Sequence, residues 1–344
     1  MTMKAAVLVR VGEPLSIEEM PIPAIGPDEV LVETHTCGVC RTDLHIQDGL
    51  AYVPSLPHIP GHEPAGVIVE VGKDVTGLRL GQRVVPHLFV ALADCFYTRT
   101  GQHAQAMHLR GILGVTMPGG FAEYFKAPAR NLLVLPESVP CDIGGLTSCA
   151  VVTAVHAYRK ARLQVNDTAV VLGVGGIGLV LVQLLHAAGI RTLAVDRDSA
   201  SLQQAALAGA ETSLAIETAE ACGLVENWAG GEKGGVDCVF ELVGKGATMK
   251  AAASFVRRGG QIVLIGEEAE FPAIDTITIA QKELRIVGSR NGGLQDARDA
   301  LALMDQGIIR PLIAVRYPLD QINLALEAVR QGTIRGRAVV TMKG

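Results

Sequence analysis

Residues 37–45, CGVCRTDLH, bring two thiols, a guanidinium, a hydroxyl, a carboxylate and an imidazole into nine positions of the chain. Further on, IPGHEPAG adds His62 and Glu63, and Cys149 stands ahead of a glycine-rich turn. Thiolates and imidazoles are zinc ligands. Two thiolates and one imidazole, with the fourth position left to water or substrate, make an open catalytic site; a closed structural site takes four protein ligands. A cysteine or histidine taken singly is as readily a buried core residue. Cys37 with Cys40 also spells C-x-x-C, the pattern of a redox pair. The residue types point to metal chemistry before their spacing assigns individual ligands.

A second cluster concerns phosphate. Gly173, Gly175 and Gly178 form G-x-G-x-x-G between the apolar run AVVL and the helical run LVLVQLLHAA. Three glycines alone are a weak signal. A strand before, a helix after, and an acid, Asp196, at the end of the next strand-like run supply the context of a dinucleotide site. The glycines allow a tight turn, close approach of backbone to the pyrophosphate, and close packing of helix on strand, with the helix N-terminus facing the phosphates. Asp196 is expected to accept hydrogen bonds from the adenosine ribose and to repel a 2′-phosphate, which favours NAD over NADP. Arg197 beside it works in the other direction.

Two kinds of element must position these groups. Up to about residue 135 the text is of short strands separated by turns: KAAVLVRV, SIEEMPIP, DEVLVETH, AGVIVEVG, QRVVPHL, GGFAEYFKAP and NLLVLP. Many strands without intervening helices predict a barrel-like β body. Residues 89–119 show no convincing period. From about residue 143 the period changes, and GGLTSCAVVTAVHAYRKARL reads as one helical stretch ending in basic residues. Strands and helices then alternate through TAVVL, TLAVDRD, VDCVFELVG, GQIVLIGE and LRIVGSR, the signature of a doubly wound parallel sheet. The last stretch, from about Asn291, reads helix, strand, helix, strand and is expected to rejoin the first domain.

Bulk properties narrow the class. A chain of 344 residues, 49% hydrophobic, predicts two domains with well-filled cores. A net charge of -5 offers no basic field for nucleic acid or anionic membrane. There is no apolar run of membrane-spanning length and no signal-peptide pattern at the N-terminus, which leads us to expect a cytoplasmic protein. Seven scattered cysteines argue for metal ligation or buried thiols over a disulfide framework.

Taken together, CGVCRTDLH, PGHEPAGVIVEVG, GGFAEY, the cysteine of TSCAVVTA, GVGGIG and the terminal RGRAVV resemble the zinc-dependent medium-chain alcohol dehydrogenases over nearly the whole chain. The resemblance implies a GroES-like, partly open β-barrel catalytic domain (1–153 and 290–344) and a Rossmann NAD-binding domain (154–289), with the active site in the cleft between them. It implies Cys40, His62 and Cys149 as zinc ligands, Glu63 as an acid able to approach the metal, and Asp43 as the carboxylate orienting the histidine. Thr42 would take the alcohol proton and His45 would pass it outward, a role that suits an imidazole because it titrates near neutral pH. Arg41 and Arg337 would hold the pyrophosphate. Gly176, Ile177, Thr153, Leu242, Leu264, Ile265 and Gly266 complete the cofactor-binding set.

One part of the family pattern is missing. The four cysteines of a structural zinc fall on Leu92, Cys95, Thr98 and Ala106, so only one catalytic zinc per chain is expected. A homo-oligomer, dimer or tetramer, is expected. Leu88 and Phe89 suggest an apolar pocket for an alcohol. The rival expectations are a zinc-independent quinone-type reductase on the same fold and a non-catalytic NAD-binding protein.

Overall fold

Short strands open the chain as the alternation predicts. The structure is a computed structural model and describes residues 1–50, 52, 54–215, 221–268, 270 and 274–342. β1 (Thr2–Val7) and β2 (Ser16–Pro21) form an antiparallel pair. β3 (Glu29–Val39) is buried along most of its eleven residues. It pairs antiparallel with β4 (Glu63–Val71), with Gly38 opposite Glu63. β5 (Arg83–Pro86) pairs with β4. β6 (Phe89–Ala91) and β7 (Leu109–Ile112) form a separate antiparallel pair. β8 (Tyr124–Pro128) pairs with the first half of β3, and β9 (Leu132–Val134) with β5. Phe121, Phe125, Leu8, Ile46, Ile68 and Leu113 fill the core beneath these strands.

The parallel sheet follows: β10 (Thr168–Leu172), β11 (Arg191–Asp196), β12 (Thr212–Ala215), β13 (Val236–Glu241), β14 (Val256–Leu264) and β15 (Arg285–Gly288). Their spatial order is β12-β11-β10-β13-β14-β15, all parallel. The order reverses between β10 and β13, which makes the sheet doubly wound and marks a ligand crevice at the carboxyl ends of those strands. β10, TAVVL, is buried at every position, as expected for a parallel strand covered on both faces. β16 (Ile313–Pro318) and β17 (Arg337–Thr341) then join the first sheet, β17 lying antiparallel against β3. Two compact units result: Met1–Val152 with Gly292–Gly344, and Thr153–Asn291. No helix among the described residues is long and apolar enough to cross a membrane.

Three departures from the sequence expectation have physical causes. The stretch expected as one helix over 144–163 is broken. A short helix (Cys141–Gly144) and a 3₁₀ turn (Gly145–Ser148) end at Cys149, whose backbone is non-helical (φ -133°, ψ -72°), and a helix restarts over Ala150–Ala161. Tertiary contact overrides the period: a side chain on Gly145 would meet Glu63 O at 2.5 Å, one on Gly144 would meet Leu135 at 2.8 Å, and Ser148 Oγ donates to Pro86 O. The aperiodic segment 89–119 holds β6, β7, a four-residue helix (Phe96–Arg99) and a 3₁₀ turn (His103–Gln105), all too short to show a period. The sequence expectation also omits β12 and the helices Ala221–Ala229 and Thr276–Lys282, elements of four, nine and seven residues, too short to show a clear period.

Candidate active site

Cys40 ends the β3 segment and caps the helix Arg41–Asp48, in extended conformation (φ -126°, ψ 159°). His62 and Glu63 stand at the start of β4, and Cys149 at the break between 3₁₀ turn and helix. These four side chains converge: their ligand atoms all lie within 4.8 Å of one another, with Cys40, His62 and Glu63 buried and Cys149 half-buried. Asp43, 2% exposed, supports two of them. Its Oδ1 is 3.0 Å from His62 Nδ1 and its Oδ2 accepts from Cys40 N at 2.9 Å. A carboxylate only accepts, so Nδ1 carries the ring proton and Nε2 keeps its lone pair. That Nε2 is buried with no hydrogen-bond partner. An unpartnered imidazole nitrogen between two thiols is satisfied by a thiophilic cation, so the donor set fits zinc.

The charges of the cluster's own residues work in the same direction. Contact with the Cys149 thiol, with His62 and the Arg337 charge beside it, holds the Cys40 thiol well below its ordinary value against the cost of burial, and Cys149 is pushed up in return. One thiolate therefore forms readily, and the second needs a cation. Burial lowers the His62 imidazole, but the Asp43 charge and the contacts with Asp43 and Cys40 outweigh it and raise the ring well above its usual range. Burial pushes the Glu63 carboxyl up to about 7, opposed by Arg337. Glu63 Oε2 pairs with Arg337 Nη2, while Glu63 Oε1 and Arg337 Nε lack partners. Arg337, expected to face a pyrophosphate, is 8% exposed and has this buried carboxylate as its ion-pair partner.

Thr42 and His45 lie three residues apart on the helix Arg41–Asp48 and so share a face. Both are half-buried, and Thr42 Oγ1 is 3.8 Å from Cys40 Sγ. Arg41 is exposed at the helix's first position. Cys37, one strand residue from Gly38, is fully buried and its thiol is pushed well up by burial, as suits a core residue and not a redox partner. Leu88 and Phe89 are 3% and 4% exposed, packed in the core of the first unit. At the four structural-zinc positions, Cys95 N donates to Thr98 Oγ1 at 2.8 Å, and Thr98 Oγ1 donates to Cys95 O at 3.0 Å. Two of the four are thus each other's cap, and one thiol with a hydroxyl and two aliphatic side chains does not fit a tetrahedral zinc.

In the second unit the glycine turn is formed as its motif demands. Gly173 has φ +96°, a conformation side chains resist. Gly175 precedes the helix Gly176–Ala187, with open space where a Cβ would stand. A methyl on Gly178 would overlap Gly173 O. Gly176 and Ile177 begin the helix whose free N–H groups face the turn. Asp196 ends β11; its Oδ2 accepts from Val174 N at 2.8 Å and its Oδ1 from Asp198 N at 3.0 Å, while Arg197 is exposed. Leu242, Leu264, Ile265 and Gly266 gather at the carboxyl ends of β13 and β14, and Thr153 is buried in the helix Ala150–Ala161.

A residue the sequence did not single out organises that end. Glu241, fully buried, accepts from Val243 N, Gly244 N and Thr248 Oγ1, and its carbonyl accepts from Ile265 N and Gly266 N. The available signal was a charge closing an apolar strand just ahead of a glycine.

Family models match both parts of the chain: the alcohol dehydrogenase GroES-like domain over residues 26–137 and the zinc-binding dehydrogenase over residues 176–306. An alcohol dehydrogenase of Geobacillus stearothermophilus is 34% identical over 98% of this chain and 99% of its own. The chain belongs to the zinc-dependent medium-chain alcohol dehydrogenase family. Among other members of this family, the alcohol dehydrogenase of the hyperthermophilic archaeon Aeropyrum pernix superposes with a TM-score of 0.91 at 30% identity, covering 98% of this chain and 99% of that one. A D-arabinose 1-dehydrogenase (NADP(+)) of Saccharolobus solfataricus is 32% identical over 98% of this chain and 97% of its own. Relatives of comparable identity thus carry names that differ in substrate and in cofactor.

Proposed function

We propose that this family member transfers a hydride between an alcohol and NAD, giving an aldehyde or ketone, with one zinc ion per chain held by Cys40, His62 and Cys149. The observation that carries the proposal is the orphaned, buried His62 Nε2, oriented by Asp43 and facing two thiols. A zinc ion bound there supplies Lewis acidity, lowering the pKa of an alcohol that enters its open position. Thr42 accepts the substrate's hydroxyl proton as it gives up its own in the direction of His45. His45, one turn along the same helix, hands it outward. Glu63 stays with Arg337 while substrate is bound. The glycine turn at Gly173, Gly175 and Gly178 takes the pyrophosphate, and Asp196, already holding Val174 N, has lone pairs left for the adenosine ribose and none of the positive charge a 2′-phosphate needs. NAD is therefore the expected cofactor, although a relative uses NADP. A cytoplasmic homo-oligomer is the expected form.

Elemental analysis of protein never exposed to chelator tests the proposal. About one zinc per chain, lost in Cys40→Ala and His62→Ala, together with alcohol-dependent NADH formation, is the expected result. Metal-free protein that does not rebind zinc overturns it.

A further inference from the structure

Glu63 and Arg337 form an ion pair although their strands are not neighbours. β3 lies between β4 and β17, so their backbones are two strand spacings apart, about 9.5 Å. Gly38 on β3 is opposite Glu63 on β4 and opposite Val339 on β17. Residues directly opposite put their side chains on one face of the sheet, and Arg337 shares the face of Val339 by the period of two. The Glu63 side chain therefore reaches Arg337 by passing over β3 at Gly38. A Cβ on Gly38 would overlap Glu63 Oε2 and stand 2.7 Å from Leu146 Cδ2 and 3.0 Å from Glu63 Cβ. Gly38 is not among the residues with positive φ, so its backbone conformation is open to any residue. Glycine is needed there for space alone.

We propose that Gly38 is a positioning residue: its missing side chain is the passage that lets Glu63 pair with Arg337, and so keeps the carboxylate from becoming a fourth protein ligand of the metal. The part concerning the metal rests on the function proposed above. Glu63 has an oxygen within 4.8 Å of the ligand atoms of Cys40, His62 and Cys149, so a carboxylate displaced from Arg337 has the metal as its nearest remaining cation. Four protein ligands close a zinc site, and an alcohol then finds no open position. The passage over β3 thus keeps the site of the open, catalytic kind.

A double-mutant cycle tests the passage. Gly38→Ala is introduced into the parent and into a background carrying Glu63→Ala with Arg337→Met, which removes the carboxylate without stranding a buried cation. Thermal melts of metal-free protein should show a large loss for Gly38→Ala in the parent and a clearly smaller one in the background, where only the contact with Leu146 Cδ2 and the Cβ at position 63 remains. Failure of Gly38→Ala to fold, with the triple variant folded, gives the same answer; equal losses in both overturn the proposal.

Cobalt(II) then tests the consequence. The visible bands of the cobalt-loaded parent should shift on adding imidazole. In Gly38→Ala they should not, and cobalt should leave to a chelator about tenfold more slowly. A variant that answers imidazole as the parent does refutes the role in keeping the site open. If the parent binds no cobalt, the metal function fails, while the melting cycle still decides the passage.

Discussion

Asparagine at position 43 changes a single side-chain atom in the support of the cluster, and its effect can be worked from the hydrogen bonds. Asp43 is buried and uses both oxygens, Oδ1 on His62 Nδ1 at 3.0 Å and Oδ2 on Cys40 N at 2.9 Å. An amide offers one acceptor and one donor group. If it keeps Cys40 N, its NH₂ faces His62 Nδ1, which must then accept, and the ring proton moves to Nε2, the atom left for the metal. If it keeps His62, two donors face each other at Cys40 N. The first arrangement keeps both bonds but turns the metal-binding nitrogen into a donor; the second leaves Cys40 N without a partner. Losing the partner of a zinc-ligating histidine costs about 10- to 100-fold in affinity, on the order of 1.4–2.8 kcal/mol. In the second arrangement the unsatisfied buried donor costs about 1–3 kcal/mol of stability even without metal. Competition of Asp43→Asn against a chromogenic chelator measures the first, and urea melts of chelator-treated protein measure the second. Zinc affinity and stability both equal to the parent would refute the claim that Asp43 fixes the tautomer of His62.

Other outcomes follow from the same geometry. Burial lowers the imidazoles of His58 and His87 from 6.5 to about 4, so below pH 6.5 the unfolded chain binds protons that the folded chain refuses. Stability should then fall as the pH drops from 6.5 towards 4 and level off below, by on the order of 3 kcal/mol for each histidine; urea melts across that range should show a shallower slope for His87→Phe, and an unchanged slope would count against it. Asp196→Ala should raise the Kd for NADH, followed by its fluorescence, by roughly 10- to 100-fold and narrow the gap to NADPH, through loss of a charged acceptor worth about 1.5–3 kcal/mol. Gly178→Ala should abolish NADH binding while leaving zinc content unchanged, because its methyl overlaps Gly173 O in a unit that holds none of Cys40, His62 and Cys149. Thr98→Ala should lower the melting temperature by removing the cap at Cys95 N, with no change on adding zinc.

How much of this was legible beforehand depended on the range of the contacts involved. The alternation of parallel strands and helices, β12 and two helices apart, and the turn at Gly173 were written in local periodicity and in glycine spacing. The donor types of the cluster were legible in CGVCRTDLH and GHE, but their convergence depends on Cys149 interrupting a helix. That interruption is imposed by Gly144 and Gly145 packing on Leu135 and the carbonyl of Glu63, contacts remote in sequence. The pairing of Arg337 with Glu63 was hidden for the same reason: it depends on which strand lies beside β3. Asp196 was read for its ribose-binding chemistry, whereas its bond to Val174 N, which braces the glycine turn, needs the coordinates. Glu241 shows the converse limit, because a carboxylate satisfied by nearby backbone and the Thr248 hydroxyl leaves only a faint trace in sequence.

The place of β17 has a consequence for the order in which the molecule is made. Thr153–Asn291 is one continuous piece and can fold as soon as it leaves the ribosome. The first unit cannot be completed as early, since one edge of β3 stays unpaired over Thr36–Val39 until residues 337–341 emerge, and Glu63 waits as long for its cation. Every nascent chain therefore passes through a stage with that strand edge open and Glu63 without Arg337. A chain cut short before Arg337 stays at that stage, prone to edge pairing with its neighbours. Residues 338–341 close the sheet that carries Glu63.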